Sequence, residues 1–381
     1  VARSSFLPRL GLLPATRLSF TTSGYAISAW APLIPHVKEQ IGLSAGELGL
    51  TLLAFGAGSM VMMPLAGGLI GRFGCRRLIE IGGVGIAVIL PCLGLMRSAV
   101  LLGAALFCFG LAMGLLSSAR NIHGIATERA LGRRLMSGFH GFYSVGCVLG
   151  AGTMSILMGL GVPPPAAAAV VGAIIILAII LSAPQITDER TASGPAYAPP
   201  RGVVLVIGLL CFVVFMAEGS VLDWSALLLT GHFRLDGARA GLGYVAFATM
   251  MTIGRLTGDR LVRRLGDRMM LTWSPALAAV GFVVATLPVH WTLAVAGFAM
   301  VGAGAANIVP LLYSAVGRQT VMPANLALTA AGSIGFAGIL IGPAAIGFIA
   351  QATSLAAAFL VLAAMVAVVS RIAPTVLKSA G

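Results

Sequence analysis

Gly67-Gly68-Leu69-Ile70-Gly71-Arg72-Phe73-Gly74-Cys75-Arg76-Arg77 and Gly254-Arg255-Leu256-Thr257-Gly258-Asp259-Arg260-Leu261-Val262-Arg263-Arg264-Leu265-Gly266 are two versions of one pattern. Each closes a long apolar run with small residues, sets a cluster of arginines beside a glycine, and gives way to another apolar run. A second echo follows each of them, Ala119-Arg120-Asn121-Ile122 in the first half and Ala305-Ala306-Asn307-Ile308 in the second. Two matched pairs in equivalent places describe a duplicated unit.

The solvent of that unit follows from composition. Hydrophobic residues make up 59% of the 381 and charged residues only 9%, against about 25% charged in a soluble domain. Mean hydropathy is +1.02. So few charges cannot cover a water-facing surface of this size. A bilayer core about 30 Å thick takes about 20 apolar residues at about 1.5 Å per residue, and backbone groups in lipid must pair within their own segment, which selects helix. The apolar runs are too long for the alternating strands of a membrane barrel.

Twelve spans are predicted, at 17–36, 46–70, 78–97, 100–127, 135–160, 164–183, 202–230, 240–258, 269–288, 291–316, 323–350 and 353–374. The stretch from Pro184 to Pro200, with four prolines and Asp188, Glu189 and Arg190, reads as a linker. It divides an N-terminal bundle over 1–183 from a C-terminal bundle over 201–381. The net charge of +13 is a topology signal and not a nucleic-acid footprint, because its arginines fall in alternate short loops. Arg72, Arg76, Arg77, Arg129, Arg260, Arg263 and Arg264 lie on one side, and only Lys38, Arg97, Arg234 and Arg239 on the other. The positive-inside rule then places both termini in the cytoplasm, and a bacterial-type inner membrane is the expected location. Arg3, Arg9 and Arg17 precede the first run without a small-residue cleavage site, so that segment is expected to be a retained helix. The five cysteines have no metal-like spacing and read as small packing residues. No Walker sequence, dinucleotide fingerprint or zinc-spaced His/Cys cluster occurs, so no cofactor or metal is expected.

At the arginine loops and at Gly338-Ile339-Leu340-Ile341-Gly342-Pro343-Ala344-Ala345-Ile346-Gly347, the chain resembles the major facilitator superfamily over essentially its whole length. Arg133-Arg134-Leu135-Met136-Ser137-Gly138-Phe139-His140-Gly141 and Ala217-Glu218-Gly219-Ser220-Val221-Leu222-Asp223-Trp224-Ser225 look like the YbjJ-like permeases, a group similar to the fucose-permease branch. The resemblance implies an all-α membrane fold of twelve helices in two pseudo-symmetric six-helix bundles, with helices one, four, seven and ten around a cavity. It also implies a cytoplasmic gate in the arginine loops, here Arg72 and Arg76 with Asp259 and Arg260. The family's motif acid is replaced by Gly71 in the first loop and kept as Asp259 in the second. Asp259 is expected at the start of helix five, where a carboxylate gains roughly 0.3–1 kcal/mol from the helix dipole.

Charges inside the apolar runs carry the functional expectation. Glu218 and Asp223 both lie in span seven, where each costs about 2.5–3.5 kcal/mol on insertion scales and needs a cavity or a partner. Five residues apart is roughly 140° around a helix, so they face different neighbours. A proton-coupling carboxyl or a structural ion pair would satisfy either. His140 is a third titratable group, able to take a proton or pair with a helix end. Arg120, Asn121 and Asn307 are candidates for solute contact, with snorkelling and interhelical hydrogen bonding as the alternatives. Trp30 and Tyr25 in span one could stack on a sugar, or anchor at the membrane interface. Scattered acids and histidines at different depths do not make a catalytic cluster. The expected activity is secondary transport of a small polar solute by alternating access, coupled to protons, by a monomer in the lipid bilayer. The rival is a drug or metabolite exporter driven by proton antiport; a sensor would carry an output domain, and none is visible.

Overall fold

The computed structural model describes residues 11–132, 135–190, 199–237 and 239–379, without the side chains of Asp259, Ser137 and a few others. These residues are overwhelmingly helical. In chain order the helices are α1 Leu12–Ser28, α2 Ile34–Ile41, α3 Ala45–Phe73, α4 Cys75–Leu93, α5 Ala99–Leu131, α6 Met136–Gly159 and α7 Pro164–Ser182. There follow α8 Val203–Gly231, α9 Leu242–Leu265, α10 Asp267–Thr286, α11 Trp291–Ala305, α12 Ile308–Arg318, α13 Ala324–Ala352 and α14 Leu355–Ser379. Large apolar side chains such as Val88, Ile156, Leu256 and Val280 are exposed, as expected of helices that face lipid.

Among the described residues, nine helical segments are long and apolar enough to cross a membrane. The other three expected spans are α1, shortened by a break, and α4 and α9, which carry the arginines of the repeated loops. The architecture is consistent with twelve spans. Two of them differ from the unbroken helices the apolar runs predict. The first splits into α1 and α2 around a 3-10 turn at Ala31–Leu33, and the tenth splits into α11 and α12 at Ala306 and Asn307. Proline explains both. Its ring clashes with the carbonyl four residues earlier; for Pro32 that residue is Ser28, the last of α1, and for Pro310 it is Ala306. At the first break the backbone is re-paired by tighter bonds, Trp30 N–H to Ile27 O at 3.3 Å and Leu33 N–H to Trp30 O at 3.0 Å.

The chain separates into two compact units, Val1–Leu33 with Ala54–Gly194, and Ile34–Leu53 with Pro195–Gly381. Within the first, α1 packs on α6 and α7, and α4 on α5 and α7. Within the second, α8 packs on α13 and α14, and α10 on α11 and α14. The pairing scheme is the same, as the internal repeat requires. Glycine sets the close approaches in both. A Cβ on Gly146 or Gly150 would overlap the carbonyl oxygens of Thr21 or Tyr25, and one on Gly338 would overlap that of Phe212. Gly146-x-x-x-Gly150 therefore packs as membrane helix pairs do. Gly67, by contrast, faces open space, so its spacing with Gly71 does not carry the same role. The segment Ile34–Leu53 belongs to the second unit although its sequence position groups it with the first bundle. Gly46 N–H donates to Gln351 Oε1 at 2.8 Å, and a Cβ on Gly49 would lie 2.7 Å from Pro343 O.

The repeated loops are conformational copies as well. Gly74, between α3 and α4, has φ 81° and ψ 158°; Gly266, between α9 and α10, has φ 79° and ψ 154°. Residues with a Cβ avoid this region at a cost of about 1–3 kcal/mol. Space distinguishes the two. Nothing lies near a Cβ on Gly266, whereas one on Gly74 would overlap the Asp188 carboxylate. We therefore expect Gly266→Ala to lower stability by about 1–3 kcal/mol and Gly74→Ala to lower it further. Thermal melts of the two variants in detergent check the order.

Candidate functional site

In the second unit the sequence places an acid on α8 and a base on α9, and their packing brings the two together. Glu218 Oε2 lies 3.6 Å from Arg255 Nη2, with both side chains largely shielded from solvent. The other carboxylate oxygen, Glu218 Oε1, is buried without a hydrogen-bond partner among the described residues. Cys211, two turns earlier on α8, and Tyr313 of α12 lie close enough to feel the charge of Glu218. The broken tenth span fixes the register of Arg255. Asn307, at the break, donates Nδ2–H to the carbonyl of Gly254 at 3.0 Å, and its Oδ1 sits where a Cβ on Gly258 would be. Both glycines of Gly254-Arg255-Leu256-Thr257-Gly258 are thus needed for α9 to approach the break. The amide nitrogen of Asn307 is engaged in an interhelical hydrogen bond.

The first unit holds a charge in a different way. Arg120 on α5 is only 4% exposed. Its Cζ lies 4.4 Å from the ring centre of Phe20 on α1 and 5.2 Å from that of Tyr143 on α6. Nη2 reaches Asn121 Oδ1 at 3.4 Å, while Nε and Nη1 are buried without an acceptor among the described residues. Phe20 is fixed from behind by stacking on Phe139 at 5.2 Å, and its edge meets His140 at 5.5 Å. The α1–α6 contact that holds both rings is the glycine seam already described, closed further by Gly24 against the carbonyl of Tyr143.

Below this cradle is a closed polar network. His123, fully buried, pairs through Nε2 with Thr16 Oγ1 and through Nδ1 with Thr187 Oγ1, each at 3.0 Å, and Thr16 Oγ1 lies 3.1 Å from Thr127 Oγ1. It ties α1, α5 and the segment after α7 together, a structural role. Glu128, near the end of α5, accepts from the backbone N–H of Leu135 and, at 2.9 Å, of Met136. The start of α6 is therefore met by a carboxylate of its own unit.

The other expected residues are spread out. Asp223 is buried on α8, with no ion pair among the described residues. Next to it, Trp224 lines a cavity of about 250 Å³ with Lys38, Glu39, Thr230 and Ala350, away from Arg255. Trp30 and Tyr25 are buried at and before the first-span break. His140 is exposed at its Phe20 contact. Of the gate residues, Arg76 pairs with Glu80 at 3.0 Å, Arg72 lies 5.2 Å from the Phe73 ring centre, and Arg260 is exposed. The side chain of Asp259, and Arg133 and Arg134, lie outside the described residues. Sequence reasoning passed over Arg255, Phe20, Tyr143 and Glu128. Arg255 was detectable, because a base inside an apolar span calls for an acid at the same depth.

A family model for the major facilitator superfamily matches residues 18–217. The chain is 45% identical to an uncharacterized MFS-type transporter of Yersinia pestis, with 92% of each covered. It is 31% identical to the membrane protein MosC of Rhizobium meliloti, over 94% of this chain and 88% of that one. A crystal structure of a variant of the nucleoside transporter NupG superposes with a TM-score of 0.75 at 13% identity, covering 96% of this chain and 99% of that one; that likeness is one of fold. The matched half of the chain and the near-full-length relatives establish a multi-pass transporter and not an enzyme: the chain belongs to the major facilitator superfamily.

Proposed function

We propose that this transporter moves a small polar solute across the cytoplasmic membrane by alternating access of two six-helix bundles, with Glu218 carrying a coupling proton. Within the family we place it beside the YbjJ-like permeases, on the stretches around His140 and Glu218. The observation that carries the proposal is the Glu218–Arg255 pair, one carboxylate oxygen on the guanidinium and the other buried and open. A structural ion pair would be expected to use both oxygens, since partial satisfaction of a buried charge is costly. Protonation of Glu218 removes the negative half of the pair, so the charge state of α8 biases the contact between α8 and α9. Arg120, Asn121 and the remaining amide oxygen of Asn307 contact the solute, with Tyr25 and Trp30 on the broken first span. Asp223 and His140 are secondary proton groups. Arg72, Arg76, Asp259 and Arg260 form the cytoplasmic gate, with both termini on that side and the protein acting as a monomer. One proton moving down a gradient of one pH unit is worth about 1.4 kcal/mol, or about tenfold accumulation, which drives uptake without ATP.

Two outcomes are expected. In proteoliposomes, Glu218→Gln abolishes uptake driven by a pH gradient while solute exchange continues; pH-driven uptake at the unmodified rate sinks the assignment. In detergent, Arg255→Ala lowers the melting temperature because it strands Glu218, and adding Glu218→Gln restores much of the loss. A coupling of about 0.5–3 kcal/mol is expected from the double-mutant cycle, whereas additive effects mean that the pair is not an energetic unit.

A further inference from the structure

We infer that the cradle of Arg120, Phe20, Tyr143 and Asn121 is a carboxylate-binding subsite, and that the transported solute is a small organic monoanion. This rests on the transport function proposed above and narrows its substrate class. Phe20 and Tyr143 sit 4.4 and 5.2 Å from Cζ, where ring faces answer the charge of a guanidinium. Its N–H groups point outward in the guanidinium plane, and a ring face does not accept them in that direction. Nε and Nη1 are buried without an acceptor among the described residues, and Asn121 serves only Nη2. No carboxylate of the described residues pairs with Arg120, at 4% exposure.

Stranding donors on a buried cation costs stability, and a residue kept there for packing alone would be better replaced by an apolar one. A carboxylate completes the set, because its two oxygens match the paired donors of the guanidinium fork. One guanidinium balances one negative charge. A second charge on the ligand would enter the apolar cradle uncompensated, which selects a monoanion over a dicarboxylate or phosphate. Tyr143 and Asn121, both only partly buried, are the members of the cradle left for the body of the ligand.

The test is a thermal-shift comparison of purified protein in detergent. Lactate and gluconate are set against lactamide and glucose, their uncharged counterparts, with succinate and, in mildly alkaline buffer, inorganic phosphate as dianionic probes. The subsite predicts that at least one monocarboxylate raises the melting temperature in a concentration-dependent way and that its neutral counterpart does not. Arg120→Gln then weakens that response at least about tenfold, and Arg120→Lys weakens it less. Without ligand, Arg120→Gln melts at or above the unmodified protein, because it removes a buried charge with open donors. Silence from both monocarboxylates overturns the subsite, as do equal shifts from the neutral compounds or a response only to phosphate or succinate. A ligand-free Arg120→Gln that melts lower and keeps the carboxylate response marks Arg120 as a structural clamp and overturns it too. A monocarboxylate response lost in Arg120→Gln upholds the subsite even where Glu218→Gln leaves pH-driven uptake intact, a result that strikes only the proton coupling.

Discussion

Lipid offers no partner to a backbone N–H or C=O, and that constraint governs the whole chain. It forces helix on every apolar run and makes any interruption a matter for the surrounding protein. Tight turns re-pair the backbone at the first interruption, before Pro32, and at the second, before Pro310, the Asn307 side chain ties the break to the Gly254 carbonyl of the neighbouring helix. Because Asn307 can reach that carbonyl only where Gly254 and Gly258 lack side chains, the break in one helix dictates small residues in another. Arg255, between those glycines, is held at one height, opposite Glu218. A backbone defect thus positions a charge.

The same constraint makes intramembrane charges informative. The second unit solves its problem internally, with the acid of α8 answering the base of α9. The first unit leaves Arg120 among aromatic rings, with Nε and Nη1 open among the described residues. The repeated architecture makes the contrast clear: the helix pairings and the glycine loops at Gly74 and Gly266 are copied between units, while the charge arrangement is not. Duplication supplies the scaffold, and the charges set inside it differ between the two units.

Much of the fold was legible in the sequence, because hydropathy reports directly on which segments become long apolar helices. The repeated loops were readable down to their glycines, which the structure places in the same left-handed conformation. The helix breaks were not foreseen, although Pro32 and Pro310 were in view, because proline is tolerated in membrane helices when neighbours re-pair the backbone. The sites were less legible. Glu218 and Arg120 announce themselves as charges in apolar runs, but their surroundings come from Phe20, Tyr143 and Arg255, far away in sequence. Glu128 at the start of α6 went unforeseen because pseudo-symmetry drew the reading to Asp259 and away from a carboxylate of the same unit.

The claim that protons and solute move together is tested most directly by following internal pH in vesicles that start with no pH gradient. The solute is added outside, and a trapped pH-sensitive dye is read as the solute enters. The account predicts acidification of the lumen in step with solute entry, a downhill solute gradient pulling protons with it. Solute entry at constant internal pH would contradict it.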